Sequence, residues 1–295
     1  MIRPFNFPLL AIGLALMAAS PASAAADWTA VGAALGKAGS VQAGDIYRVS
    51  FPRSDLKVTL DGVAIRPALA LGSWVAFREM DGHAMVMGDL VLTHDEVNPV
   101  MRALEAAGIE ISALHNHLLR SSPATMYMHI DGHGDPVKLA TAIRAALQLS
   151  KTPFTAAPAP SAPPPIELDT AALDQALHAK GSVNGGVYQF GIPRREAPKS
   201  DGAALPPPMG SAIGINFQPT GGGKAAITGD FVLTAKEVNP VIRVLQSGGI
   251  EITALHNHML DDEPRLFFMH FWANDDALKL ARTLRAALDK MAVAP

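Results

Sequence analysis

The sequence predicts an α+β protein of two tandem repeats, each an antiparallel sheet with helices on one face. Three observations predict it: a long segment recurs, strand and helix patterns alternate in the same order in both copies, and a Pro/Ala-rich stretch divides them. The segment from Met87, MGDLVLTHDEVNPVMRALEAAGIEISALHNHLL, returns from Thr228 as TGDFVLTAKEVNPVIRVLQSGGIEITALHNHML. The copies run without a gap to Leu147 and Leu288 with about half the positions identical, the mark of a duplicated structural unit.

Trp28–Lys37 and Thr170–Lys180 read as short helices, followed by strands near Asp45–Phe51 and Val187–Ile192. Strands follow at Trp74–Phe77 and Ala212–Phe217, then at Ala84–Leu92 and Ala225–Leu233. Thr93 and Thr234 stand three residues before Glu96 and Glu237, the capping-box spacing that starts a helix. Those helices run to Ala107 and Gly248, with Val97, Val100, Met101 and Leu104 as the apolar stripe. Pro99 and Pro240 argue for a start several residues later, and Gly108 and Gly249 suit a left-handed stop. Ile109–Leu118 and Ile250–Met259 read as strands, with Met126–Ile130 and Leu266–Trp272 as hairpin partners. Amphipathic helices over Pro136–Leu147 and Ala277–Leu288 close each copy. Strand–helix–strand–strand–helix is the order of a ferredoxin-like sheet, the expected topology.

The halves differ upstream. Where the first has DLKVTLDGVAIRPALALGS, the second has a shorter, proline-heavy Ala197–Gly210, expected as an exposed loop because successive prolines lack ladder donors. Any function using this stretch is expected in the first half alone.

The expected organisation is residues 1–24 as a cleavable signal peptide, 25–150 as the first repeat, 151–167 as an extended linker and 168–295 as the second repeat. The leader has one charge, Arg3, a short apolar run from Leu9 to Met17, and Ala22-Ser23-Ala24 as a cleavage site. Export to a periplasm or beyond follows as the expectation, and no later segment reaches membrane-spanning length. The chain has no cysteine, which excludes disulfides, thiolate chemistry and lipidation at a cysteine. A net charge of −3 lacks the basic face that nucleic acid requires.

The tripeptide His-Asn-His occurs at 115–117 and again at 256–258. Residues two apart on a strand share a face, so His115 pairs with His117 and His256 with His258. The hairpin partner adds His129 or His270, and cross-strand neighbours stand about 5 Å apart. Three imidazoles per half therefore point to one divalent-metal site in each repeat, with zinc or copper as the expected ion. Asp89, Asp230, Glu110 and Glu251 are the oxygen ligands within sequence reach. The competing reading is structural: the same parity continues Ile109, Ile111 and Ala113, an apolar face turned to the helices, unless a bulge inverts it. A third reading makes His117 or His258 a general base oriented by Glu96 or Glu237. Within the gapless repeat no Ser stands at a matched position to serve as nucleophile, since Ser112 becomes Thr253 and Ser121 becomes Asp262.

Together with MYMHIDGHGDPVKLA, these motifs make the chain similar to the LppY/LpqO family of exported bacterial proteins. The resemblance covers nearly all of the chain after the leader. It implies an exported two-repeat protein, and it brings no activity, substrate or site residue with it. The chain departs from the lipoproteins that name the family in lacking a lipidated cysteine. Three functions stay open from sequence: a small-molecule- or metal-binding protein, an envelope hydrolase or lyase using a histidine base, and a structural or partner-binding module. Oligomeric state is left open.

Overall fold

The computed structural model describes residues 26–80, 82–155 and 165–294. The leader and the centre of the linker, residues 156–164, lie outside them. The first repeat runs α1 (Trp28–Leu35), β1 (Ser40–Gln42), β2 (Ile46–Pro52), β3 (Thr59–Leu60), β4 (Val63–Ala64), α2 (Pro67–Ala70), β5 (Gly72–Met80) and β6 (His83–Thr93). It ends with α3 (His94–Ala106), β7 (Glu110–His115), β8 (Thr125–Gly134) and α4 (Pro136–Leu147). The second repeats this as α5 (Thr170–Leu177), β9 (Ser182–Asn184), β10 (Val187–Ile192), β11 (Lys199–Ser200), β12 (Ala203–Ala204) and a 3-10 turn at Pro207–Met209. Then come β13 (Ile213–Gly221), β14 (Lys224–Thr234), α6 (Ala235–Ser247), β15 (Glu251–His256), β16 (Asp262–Glu263), β17 (Leu266–Asp276) and α7 (Ala277–Leu288).

Each repeat holds a six-stranded sheet, in the order β1-β2-β5-β6-β8-β7 and its counterpart β9-β10-β13-β14-β17-β15. All the pairings are antiparallel. The strands β6 and β7 are joined through α3, with β8 inserted between them, which is the split β-α-β unit of a ferredoxin-like sheet. The outer place beside β6 is filled by β5, which precedes the unit in the chain. The capping boxes form at Thr93/Glu96 and Thr234/Glu237. They start both helices ahead of Pro99 and Pro240, contrary to the expected later start. Gly108 and Gly249 adopt the left-handed stop at φ 76° and 80°.

Helices α3 and α4 cover one face of the first sheet, burying Val97, Val100, Leu104, Ile143 and Leu147 against Leu90, Leu92 and Met128. Alternation along β6 and β8 sends Val91 and Tyr127 to the opposite face, where they pack with Val187, Ala226 and Trp272 of the second repeat. The helix-free faces of the two sheets thus meet, with helices outside.

The segment expected as a loop, 197–210, is ordered differently. It builds the hairpin β11–β12 and the 3-10 turn, matching β3–β4 and α2 of the first repeat. Leu205 N bonds Pro198 O as Ile65 N bonds Val58 O, and the tight turns Asp61-Gly62 and Asp201-Gly202 share positive φ. The prolines avoid the ladder by falling before and within the turn. Each hairpin arm docks on the other repeat. Gln218 bonds Arg66 N (2.9 Å) and Ala64 O (2.8 Å), and Gln189 bonds Ala68 O (2.7 Å). In return Arg48 and Arg78 donate to Pro208 O and Ala204 O. This stretch therefore serves both halves, which corrects its assignment to the first alone.

Candidate metal centre

The site is set by a bulge. The β7–β8 ladder slips between Ile111 and Ala113, and β15–β17 slips between Ile252 and Ala254. Before the slip, Ile111 opposes Ile130 in the helix-side core. After it, Ala113 opposes His129 and His115 opposes Tyr127, on the face turned to the other sheet. The extra residue, Ser112 or Thr253, inverts the parity. That overturns the reading in which the imidazoles continue the helix-facing apolar stripe. Across the neighbouring ladder Asp89 lies opposite His129 and Asp230 opposite His270, so each carboxylate enters the same face.

All six histidines and both aspartates come together between the sheets. The rings of His115 and His256 stack 3.4 Å apart, His117 lies 3.5 Å from His270, and His129 lies 3.8 Å from His258. Each of these pairs joins one repeat to the other. Tyr127 and Phe268 close the outer ends by stacking 3.4 Å from His117 and His258. The three imidazoles of a repeat do converge, as the spacing implies, and the two sets stack against each other in one cluster.

Hydrogen bonds fix the rings. Nδ1 of His270 lies 2.7 Å from Gly229 O, that of His256 3.0 Å from Asn257 O, and that of His115 3.3 Å from Asn116 O. His129 bonds the Gly88 carbonyl and His258 that of Gly210. A carbonyl only accepts, so on His115, His256 and His270 Nδ1 carries the proton and Nε2 presents a lone pair. Metal-ligating histidines are oriented by this kind of bond. Among the described residues, twelve buried side-chain polar atoms have no hydrogen-bond partner; six are these Nε2 atoms and two are Oδ1 of Asp89 and Asp230. Each such atom costs about 1–3 kcal/mol when left unpaired, so eight in one cluster is an arrangement that a bound ligand would stabilise. His258 Nε2 stands 3.2 Å from Asp230 Oδ2, but not in the geometry of a hydrogen bond.

Ligand atoms fall within 4.8 Å of one another in four overlapping sets. Asp89 groups with His117 and His129, and Asp230 with His258 and His270. His115 and His256 group with His129 and His258, and again with His117 and His270. Metal–nitrogen bonds of about 2.0–2.1 Å place two ligands at most about 4.2 Å apart, so binding asks only small side-chain adjustments. An edge group, Asp131, His133 and Asp201, is more exposed.

Charge is resisted throughout. Burial pushes His115 down to about 2, with His256 and His129 adding repulsion. Burial also takes His270 down to about 4, against the pull of Asp230. His117, His129 and His258 are driven well below the usual imidazole range by burial and then by neighbouring imidazoles. Burial raises both Asp89 and Asp230, and Asp230 raises Asp89 further while Arg48 opposes. Neutral imidazoles beside carboxylates short of a counter-charge suit a cation. The same depression works against His117 or His258 as a general base.

Four carboxylates proposed from sequence lie elsewhere. Glu96 is held by buried Arg53 (2.8 and 3.2 Å) and by the N–H groups of Thr93 and Lys151. Glu237 is held by Arg194, Thr234 and Ala292 in the same way. They lock helix starts and orient no histidine. Glu251 pairs with Arg120 at 2.7 Å, and Glu110 is exposed. Sequence reasoning missed the cross-repeat contacts. Asn257 Nδ2 bonds Ser112 O at 2.9 Å, and Ser112 Oγ donates to His258 O, which explains part of what the middle residue of the second tripeptide does.

The chain belongs to the family described as Domain of Unknown Function (DUF1259), whose model matches twice, over residues 29–149 and 171–290. No curated protein matches it. Among solved structures it is similar to a trimeric bacterial microcompartment shell protein, PduB, at 12% identity and TM-score 0.20, covering 86% of this chain and 89% of that one. It is also similar to EtuB from Clostridium kluyveri at 8% identity and TM-score 0.20, covering 85% and 88%. Likenesses at that level carry no argument about function.

Proposed function

We propose that this protein binds a divalent transition metal in the six-histidine, two-aspartate cluster between its repeats. One observation carries the reading: six buried Nε2 atoms converge with no hydrogen-bond partner, while Nδ1 of His115, His256 and His270 faces a carbonyl. Lone pairs so placed repel one another, and bound cations relieve that repulsion. Nitrogen-rich donors with carboxylate oxygen favour zinc or copper over magnesium or calcium. The likeness to exported LppY/LpqO proteins supports placing this binding in a periplasm.

The test is elemental analysis of the purified chain, with melting followed in zinc and in chelator. A ligand of the native state alone raises stability by RT ln(1 + [L]/Kd), about 2.7 kcal/mol at a hundredfold excess over Kd. Copurified or tightly restored metal and a raised melting temperature are expected, both lost in His129→Ala/His270→Ala. Melting unchanged by zinc and copper contradicts the proposal.

A further inference from the structure

The repeats are related by a pseudo-twofold operation that exchanges His115 with His256, His117 with His258, His129 with His270 and Asp89 with Asp230. Resting on the metal-binding reading, we infer that the cluster holds two ions, one on each Asp-His-His set, rather than a single central ion.

The groupings decide this. No set of mutually close ligand atoms contains both His117 and His258, or both His129 and His270. An ion on the pseudo-twofold axis would need such exchanged pairs, so only His115 and His256 remain to it, and two ligands fall short of the three or four that divalent ions take. Every set of three or four within the histidine cluster lies off the axis and has a twin. The two four-histidine sets share His115 and His256, and one Nε2 lone pair binds one ion, so those sets cannot be filled together. The sets Asp89–His117–His129 and Asp230–His258–His270 share no residue. They fill together, and each brings one carboxylate to offset the ion's charge. The pairing also accounts for one aspartate on the inter-sheet face of each sheet, Asp89 and Asp230, where a single ion on one set would leave the other carboxylate uncompensated.

Each set supplies two imidazoles and one carboxylate, leaving coordination positions open. Three protein ligands with an open position is the pattern of metal sites that exchange ligands, in contrast to closed structural sites. His115 and His256 stack on each other at 3.4 Å beside the two sets and belong to neither.

Titration of the metal-free full chain with Co²⁺, followed by its visible d–d absorption, reads the stoichiometry without any substitution. A break at two equivalents is expected. Asp89→Asn and Asp230→Asn should each break at one equivalent, while His115→Ala/His256→Ala keeps two, with circular dichroism confirming that each variant is folded. A break at one equivalent in the wild-type chain overturns the two-ion inference, and loss of binding in His115→Ala/His256→Ala with the aspartate variants unchanged would assign the single ion to a four-histidine set. Absence of any uptake overturns the metal-binding reading as well, so the two failures are distinguishable.

Discussion

At the residue scale, the twin arginines Arg53 and Arg194 explain why Glu96 and Glu237 recur in both copies. Each arginine is fully buried and bonds its glutamate, a strand carbonyl (Val91 or Val232) and a second carboxylate, Asp55 or Glu196. Removing one partner of a buried pair costs about 3–5 kcal/mol because the other stays desolvated and unpaired. Arg53→Met should lose that much in urea unfolding and leave zinc uptake intact, and lost zinc uptake in a folded variant would contradict the separation of the two sites. The pH dependence has a fixed sign. Burial raises Glu96 and Glu237, but the hydrogen bonds from Arg53, Arg194 and backbone N–H groups outweigh it, so both are lowered from 4.5. A depressed carboxylate adds stability that is complete above its unfolded value and lost as pH falls through the folded one. Acid unfolding should therefore set in below pH 4.5, and Glu96→Gln/Glu237→Gln should flatten that arm of the melting-temperature profile.

At the scale of elements, periodicity shows which residues form strands and helices, but not which way a bulged strand faces. The capping boxes, the stop glycines, the closing helices and the hairpin partners were all legible, because each depends on contacts within a few residues. The bulge at Ser112 and Thr253 was not, since its signal is a ladder slip visible only against β8 and β17. The histidine positions could be read off the spacing; their inversion to the inter-sheet face could not. Gly229 shows how closely the strands approach: a Cβ there would lie 2.0 Å from Gly214 O. The same residue's carbonyl orients His270. Gly229→Ala should destabilise the chain by about 1–3 kcal/mol through overpacking and weaken metal uptake, measured by urea unfolding and metal titration. Unchanged stability would mean that β13 and β14 have room to separate.

At the scale of the molecule, the duplication provides its own comparison. At one end Arg120 clamps Asp61 and Glu251, and Trp272 donates to Asp61 at 3.1 Å. At the other end the corresponding places hold Asp261 for Arg120, Asp201 for Asp61, Glu110 for Glu251 and Asp131 for Trp272. Carboxylates there face one another, and Asp131 is raised to about 6 by burial, with His133 opposing and Asp201 and Glu110 adding to the rise. Asp261→Arg should rebuild the clamp and raise the melting temperature, with the gain shrinking in high salt as exposed pairs are screened. A fall in melting temperature would refute the correspondence of the two ends. The repeat was plain in the sequence, but the sharing of a site between the copies was not, because packing of two sheet faces depends on residues far apart in the chain, such as Gln218 and Arg66, 152 positions apart.

X-ray absorption at the zinc K-edge of the loaded, full-length chain tests the central claim most directly, because it reports the ligands of the ion itself. The account predicts nitrogen and oxygen neighbours at about 2.0–2.1 Å with the outer-shell pattern of at least two imidazoles per ion. A shell of light atoms without the imidazole pattern would contradict it.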